Sequence, residues 1–118
     1  MTRVLVCGPR DWTDYWTVAE VLSGQHAADP FSCLIEGGAL GVDRFARRWA
    51  TDRGVPVETF EADWTHGKAA GPIRNRRMLA EGKPDRCIAF IADPPTRGTA
   101  NMVRQAREAG VPVREIVE

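Results

Sequence analysis

Glu36-Gly37-Gly38-Ala39-Leu40-Gly41-Val42-Asp43 lies between a short apolar run and an amphipathic segment, and its reading decides the fold. Ser32-Cys33-Leu34-Ile35 before it reads as a buried strand, while Val42, Phe45, Ala46, Trp49 and Ala50 after it recur at helical spacing. A glycine-rich turn from strand to helix lets the backbone approach a ligand closely. It also aims free amide groups and the positive end of the helix dipole at that ligand, which suits a phosphate. The stretch is only part of a dinucleotide fingerprint, because GxGxxG would need glycine where Glu36 stands, and no GK[ST] follows. A standard nicotinamide redox role is therefore not expected.

The same plan repeats along the chain. Apolar runs at 4–7, 33–35, 55–60, 87–92 and 111–117 alternate with helix-length segments at about 14–23, 40–52, 72–81 and 99–109. Several runs are continuously apolar, as strands covered on both faces require. The expected fold is α/β: a single Rossmann-like, doubly wound domain over 1–118, with a five-stranded, mainly parallel sheet and helices on both faces. Gly54-Val55-Pro56 and Gly110-Val111-Pro112 each read as a helix stop followed by a strand start. Pro72 fits the first residue of a helix and Thr99 an N-cap.

Composition narrows the function classes. The 118 residues carry 16 basic and 16 acidic side chains, so net charge gives no pull toward nucleic acid or an acidic membrane. Cys7, Cys33 and Cys87 lie in separate apolar runs, without CxxC spacing, and read as buried thiols in a reducing compartment. Met1-Thr2-Arg3 leads straight into a strand, and no apolar stretch reaches membrane-spanning length, so a cytoplasmic protein without a membrane partner is expected. No metal site and no cofactor are expected.

In such a sheet the strand-to-helix turns emerge on one edge, where ligands bind. After the first strand, Gly8 would let a ligand approach, Arg10 would grip phosphate, and Trp12 would stack on a base or pack on the following helix. In the second turn, Gly37, Gly38 and Gly41 would face phosphate. There Asp43 would accept a ribose hydroxyl or complement the helix dipole, and Glu36 would act as an acid/base or brace a turn. The third and longest turn runs from Asp63 to Asn75, and presents Trp64, Gly71, Arg74 and Asn75. Arg74 is unfavourable near a helix start, a local inconsistency expected at a site, while Arg76 and Arg77 read as a solvated face. In the fourth turn Arg97, Gly98 and Thr99 offer charge, amides and a hydroxyl.

Together these turns resemble the SLOG superfamily, and within it the YspA-like branch related to YpsA. The matching pieces are Gly8-x-Arg10-x-Trp12-x-Asp14, Gly37-Gly38-Ala39-x-Gly41-x-Asp43-x-x-Ala46-x-x-Trp49-Ala50, Trp64-x-x-x-Lys68-x-Ala70-Gly71-Pro72-x-Arg74-Asn75-x-x-Met78 and Arg97-Gly98-Thr99-x-x-Met102. The resemblance implies a nucleotide or nucleotide-derived ligand, such as a nucleoside monophosphate or an ADP-ribose-like molecule, bound by a sensor or processor. Relatives of this fold often pair through helices, which makes a homo-oligomer an expectation.

The chain is also similar, more distantly, to LOG phosphoribohydrolases, which implies an N-glycosidase as the alternative function, with Glu36 and Arg74 as catalytic candidates. Arg74 precedes Met78 by four residues, as in their signature, and Pro94-Pro95-Thr96-Arg97-Gly98-Thr99 keeps the glycine and threonine of PGGxGT. The signature's glutamate falls on Met102. Methionine cannot serve as a carboxylate, so hydrolysis would need Glu36, Asp43 or Asp93 in its place. A third reading is single-stranded nucleic-acid binding by Trp64 with Arg74, Arg76 and Arg77; the zero net charge weighs against it.

Overall fold

In the computed structural model, which describes residues 1–117, alternate residues of each central strand point into different cores. Val4 and Val6 of β1 (Thr2–Cys7), Leu34 of β2 (Phe31–Glu36) and Ile88 and Phe90 of β4 (Arg86–Ile91) pack on one face. Leu5, Cys7, Cys33, Ile35, Cys87, Ala89 and Ile91 pack on the other. This is the period-two geometry of a strand buried on both sides, and it explains why the runs are continuously apolar. With β3 (Val57–Thr59) and β5 (Val113–Val117), the sheet has the order 3-2-1-4-5 and every pairing is parallel. The expected Rossmann-like α/β fold is the observed one.

Two helices cover each face. On the first, α1 (Tyr15–Ala28) and α2 (Val42–Asp52) contribute Val18, Leu22, Ala46 and the fully buried Trp49. On the second, α3 (Ala70–Gly82) and α4 (Arg97–Glu108) contribute Met78, Met102 and Ala106. Both α2 and α4 end in a Schellman motif. Val55 and Gly54 N–H donate to the Ala50 and Thr51 carbonyls, and Val111 and Gly110 to those of Ala106 and Arg107. The three cysteines are buried and free, and among the described residues no helix is long and apolar enough to cross a membrane.

Several boundaries differ from expectation, each for a local reason. Helix α1 runs past Ser23 to Ala28, because Gly24 is exposed and costs only about 1 kcal/mol. Beyond it, His26 packs against Phe31 and Trp49 (ring centroids 5.2 and 5.6 Å apart) and its Nδ1 accepts from Phe31 N–H at 2.9 Å. The third strand shrinks to an edge strand that pairs only with β2. Helix α3 starts at Ala70, so Pro72 is its third residue, still within the turn whose N–H groups need no partner. It follows a 3-10 segment, Trp64–Ala69, within the third turn.

Thr99 is not the cap of α4. Thr96 is: its backbone is extended (φ −79°, ψ 153°), its Oγ1 accepts from Thr99 N–H at 3.4 Å, and its hydroxyl donates to Thr99 Oγ1 at 2.9 Å. Two threonines three residues apart compete for one cap, and the residue preceding the helix wins because only its backbone is free to extend.

Candidate functional site

The strand order reverses direction between β1 and β4, and their carboxyl ends open the crevice in which such sheets bind ligands. A cavity of about 660 Å³ lies there. The β1 turn supplies Cys7, Gly8 and Arg10; the β2 turn supplies Gly37 to Leu40 and leads to Asp43 and Arg44 in α2. The segment after β3 adds Glu61, Ala62 and Trp64, and α3 adds Gly71, Arg74, Asn75 and Met78. The fourth wall is Thr96, Gly98, Thr99 and Met102.

Of the expected ligand contacts, Gly8, Arg10, Gly37, Gly38, Asp43, Trp64, Gly71, Arg74, Asn75, Gly98 and Thr99 line this cavity. Four expected residues lie elsewhere. Trp12 packs edge-on against Phe90 (5.7 Å between centroids), donates its Nε1–H to the Asp14 carbonyl at 3.0 Å, and lines a neighbouring depression instead. Its apolar ring completes the first core more favourably than it would wall a polar crevice. Arg97 is exposed and outside the lining.

Gly41 sits behind the site, at φ 74°, where a Cβ would stand 2.4 Å from the Pro9 carbonyl oxygen. It lets the second turn nest on the first, and the Val42 N–H to Pro9 carbonyl bond (3.3 Å) closes that contact. Gly8, although at the cavity, is also constrained from behind: a Cβ there would meet Val42 Cγ2 at 2.6 Å.

Glu36 is fully buried and outside the lining. Its carboxylate accepts from Gly38 N–H at 2.6 Å, from Arg47 Nε at 3.2 Å and from the Thr59 hydroxyl. With both oxygens engaged, it fastens β2, α2 and β3 to the glycine turn. A glycine at that position, as the dinucleotide fingerprint has it, would lose all three ties. Asp93 lines the neighbouring depression. Of the three strand-edge carboxylates, Asp43 is the one on the cavity wall.

Asp43 and Arg74 converge on the space that Gly37 leaves empty. A Cβ on Gly37 would lie 2.6 Å from Arg74 Nη1 and 3.0 Å from Asp43 Oδ2. Asp43 is only 6 % exposed, and its Oδ2 accepts from Ala39 N–H at 3.2 Å. Burial raises its carboxyl from 3.8 to about 7, and the Glu36 charge pushes the same way, against the Ala39 amide and the Arg74 cation. Near neutrality its charged and neutral forms are therefore close in free energy.

Arg74 donates Nη1–H to the Gly37 carbonyl and Nε–H to Asn75 Oδ1 at 3.0 Å. Asn75 continues the chain, donating to Asn101 Oδ1 at 3.0 Å, which also accepts from Gln105 at 2.8 Å. The guanidinium is thus braced by α3, α4 and the second turn at once, and its remaining donors are available to an anion.

Sequence reasoning missed Arg44 and Glu61. Arg44 follows Asp43 in the first turn of α2. Glu61 was hidden in the third connection, yet its Cγ would lie 3.1 Å from a Cβ on Gly38. No glycine or helix-start signal marks such a residue.

Comparisons with known proteins identify the family. The profile of the family described as "YAcAr: YspA, cpYpsA-related SLOG family" matches residues 2–67, which carry the first two turns and the start of the third. The chain is also similar to "Gene 61 protein" of Mycobacterium phage D29, with 39 % identity over 120 residues, covering 96 % of this chain and 94 % of the relative.

Proposed function

Because the chain belongs to the YspA, cpYpsA-related SLOG family, we propose that its carboxyl-edge cavity binds a phosphorylated, nucleotide-derived ligand, as a sensor or processor of such molecules. The observation that carries this reading is the convergence of four strand-to-helix connections and the starts of α2, α3 and α4 on one crevice at the reversal of strand order. At the start of α4, where the Thr99 amide is taken by Thr96, the Gly98 amide supplies a donor beside the positive end of the helix dipole. Arg74 supplies a braced cation, and the exposed Arg10 a second one at the rim. A ligand phosphate lies against Gly37–Ala39 and Gly98–Thr99 in this reading.

Thermal denaturation with a panel of nucleoside monophosphates, ADP-ribose, unphosphorylated nucleosides and inorganic phosphate tests it. A phosphorylated member present at a hundredfold excess over its Kd adds roughly 2.7 kcal/mol, and Arg74→Lys diminishes the shift because lysine cannot replace a bidentate fork. No stabilisation by any phosphorylated compound at millimolar concentration refutes the reading.

The N-glycosidase reading is favoured by one observation: the carboxyl of Asp43, held at about 7, stands on the cavity wall beside Arg74. A group titrating there suits general acid–base work on a glycosidic bond. In that chemistry Asp43 holds the proton, Arg74 grips the phosphate, and Glu36 positions the turn. Free base released from a nucleoside monophosphate by the native protein, and not by Asp43→Asn, supports it; the absence of free base after long incubation removes it.

A further inference from the structure

Of the four tryptophans, Trp64 is the one that both lines the cavity and lacks a ring or cationic partner among the described residues. Trp49 is buried, and donates Nε1–H to Ser23 Oγ at 2.9 Å. Trp12 is held by Phe90 and Asp14. Trp16 is 75 % exposed but rests edge-on against Tyr15, 5.3 Å between centroids, away from the cavity. Trp64 is 64 % exposed, and Leu40, also on the cavity, is 51 % exposed. A large apolar ring left open at the mouth of a crevice is informative where scattered surface residues are not.

The backbone that carries Trp64 is not anchored in either core. The 3-10 segment Trp64–Ala69 contains no buried residue, is capped at its start by Asp63, and is broken at Gly67 (φ 62°, ψ −136°). No core contact opposes a shift of the ring toward the cavity.

We infer that Trp64 is the platform on which the aromatic base of the ligand stacks, with Leu40 as the apolar contact beside it, so that the site selects base-bearing nucleotides over sugar phosphates. This rests on the phosphate reading above: the phosphate lies deep, against Arg74 and the start of α4, and the base lies at the rim. Stacking on an aromatic face is tolerant of base identity, so Trp64 distinguishes base from no base more strongly than one base from another.

Isothermal titration of the native protein, Trp64→Ala and Trp64→Phe tests this, with the four ribonucleoside 5′-monophosphates, ribose 5-phosphate and inorganic phosphate as ligands. The expected result is that at least one nucleotide binds roughly ten- to hundredfold more tightly than ribose 5-phosphate, the range set by stacking one base. Trp64→Ala abolishes that preference without weakening ribose 5-phosphate, and Trp64→Phe restores most of it. Nucleotide quenches native tryptophan fluorescence, and Trp64→Phe binds with the quench lost.

If ribose 5-phosphate binds as tightly as every nucleotide, or if Trp64→Ala leaves the preference intact, the stacking inference is overturned while the phosphate site stands. If no phosphorylated compound binds at all, both fall together. Because Trp64 lies outside both cores, an unchanged melting temperature of the unliganded variants separates loss of stacking from loss of fold.

Discussion

Replacing Asp43 with asparagine should make the protein's stability less dependent on pH. The native carboxyl is raised from 3.8 to about 7, chiefly because the folded protein buries it. A folded-state value above the unfolded one means that the native state holds its proton more tightly. The resulting stabilisation is complete below the unfolded value and is lost as pH rises through about 7. At about pH 5 the unfolded group is already ionised and the folded group is still protonated. Two pH units below the folded value then correspond to about 2.7 kcal/mol, at roughly 1.36 kcal/mol per unit, and nothing remains by about pH 9.

Asparagine has the shape of the protonated acid and keeps an oxygen for the Ala39 N–H. Asp43→Asn should therefore match native stability only below about pH 4, exceed it by about 1.6 kcal/mol at pH 5 and by about 4.4 kcal/mol at pH 9, so that the difference grows by about 2.7 kcal/mol between those two pH values. Urea unfolding of both proteins at the two pH values reads this difference, and titrating groups not coupled to Asp43 cancel between them. A native-minus-variant difference constant to within about 0.5 kcal/mol would mean that Asp43 is ionised throughout. The account of a buried carboxyl titrating near neutrality on the cavity wall would then be wrong.

Two further predictions separate packing from chemistry. Gly41→Ala combines a left-handed backbone with a contact of 2.4 Å to Pro9 oxygen, and should cost at least about 2 kcal/mol in chemical denaturation; an unchanged midpoint would show that the first two turns do not nest as described. Glu36→Gln should lower stability by about 1–3 kcal/mol, because an amide cannot satisfy Gly38 N–H, Arg47 and Thr59 as a carboxylate does. If instead its melting curve is native and only turnover is lost, Glu36 is catalytic rather than a brace.

The fold was legible because its signals are local and repeated. Runs such as Val4–Cys7 and Arg86–Ile91 must be apolar on both faces in a parallel sheet, and glycine-valine-proline after α2 and α4 marks the same Schellman ending twice. What failed locally was decided by distant residues. Nothing near Gly24 says that α1 continues; His26 does so by docking on Phe31 and Trp49, which come later in the chain. The cap of α4 was misplaced by three residues because either threonine can supply the oxygen, and only backbone geometry chooses between them.

The site followed a different logic. Glycines and helix starts located its walls, since a close backbone approach demands particular residues at particular places. Side-chain roles did not follow in the same way, because they depend on which residues the turns bring together. Glu36 and Asp43 are both acidic, seven positions apart, and at the ends of the same turn; sequence offers either as an acid/base. Folding separates them. Glu36 points among Arg47, Thr59 and the Gly38 amide, and Asp43 takes the cavity wall, where the charge of Glu36 helps keep it protonated. The residue that breaks the dinucleotide fingerprint thus acts on the cavity wall twice: it fixes the turn that carries the glycines, and its charge disfavours a second negative charge on Asp43. In the proposed reading a neutral Asp43 would donate a hydrogen bond to the ligand phosphate, whereas an ionised one would repel it.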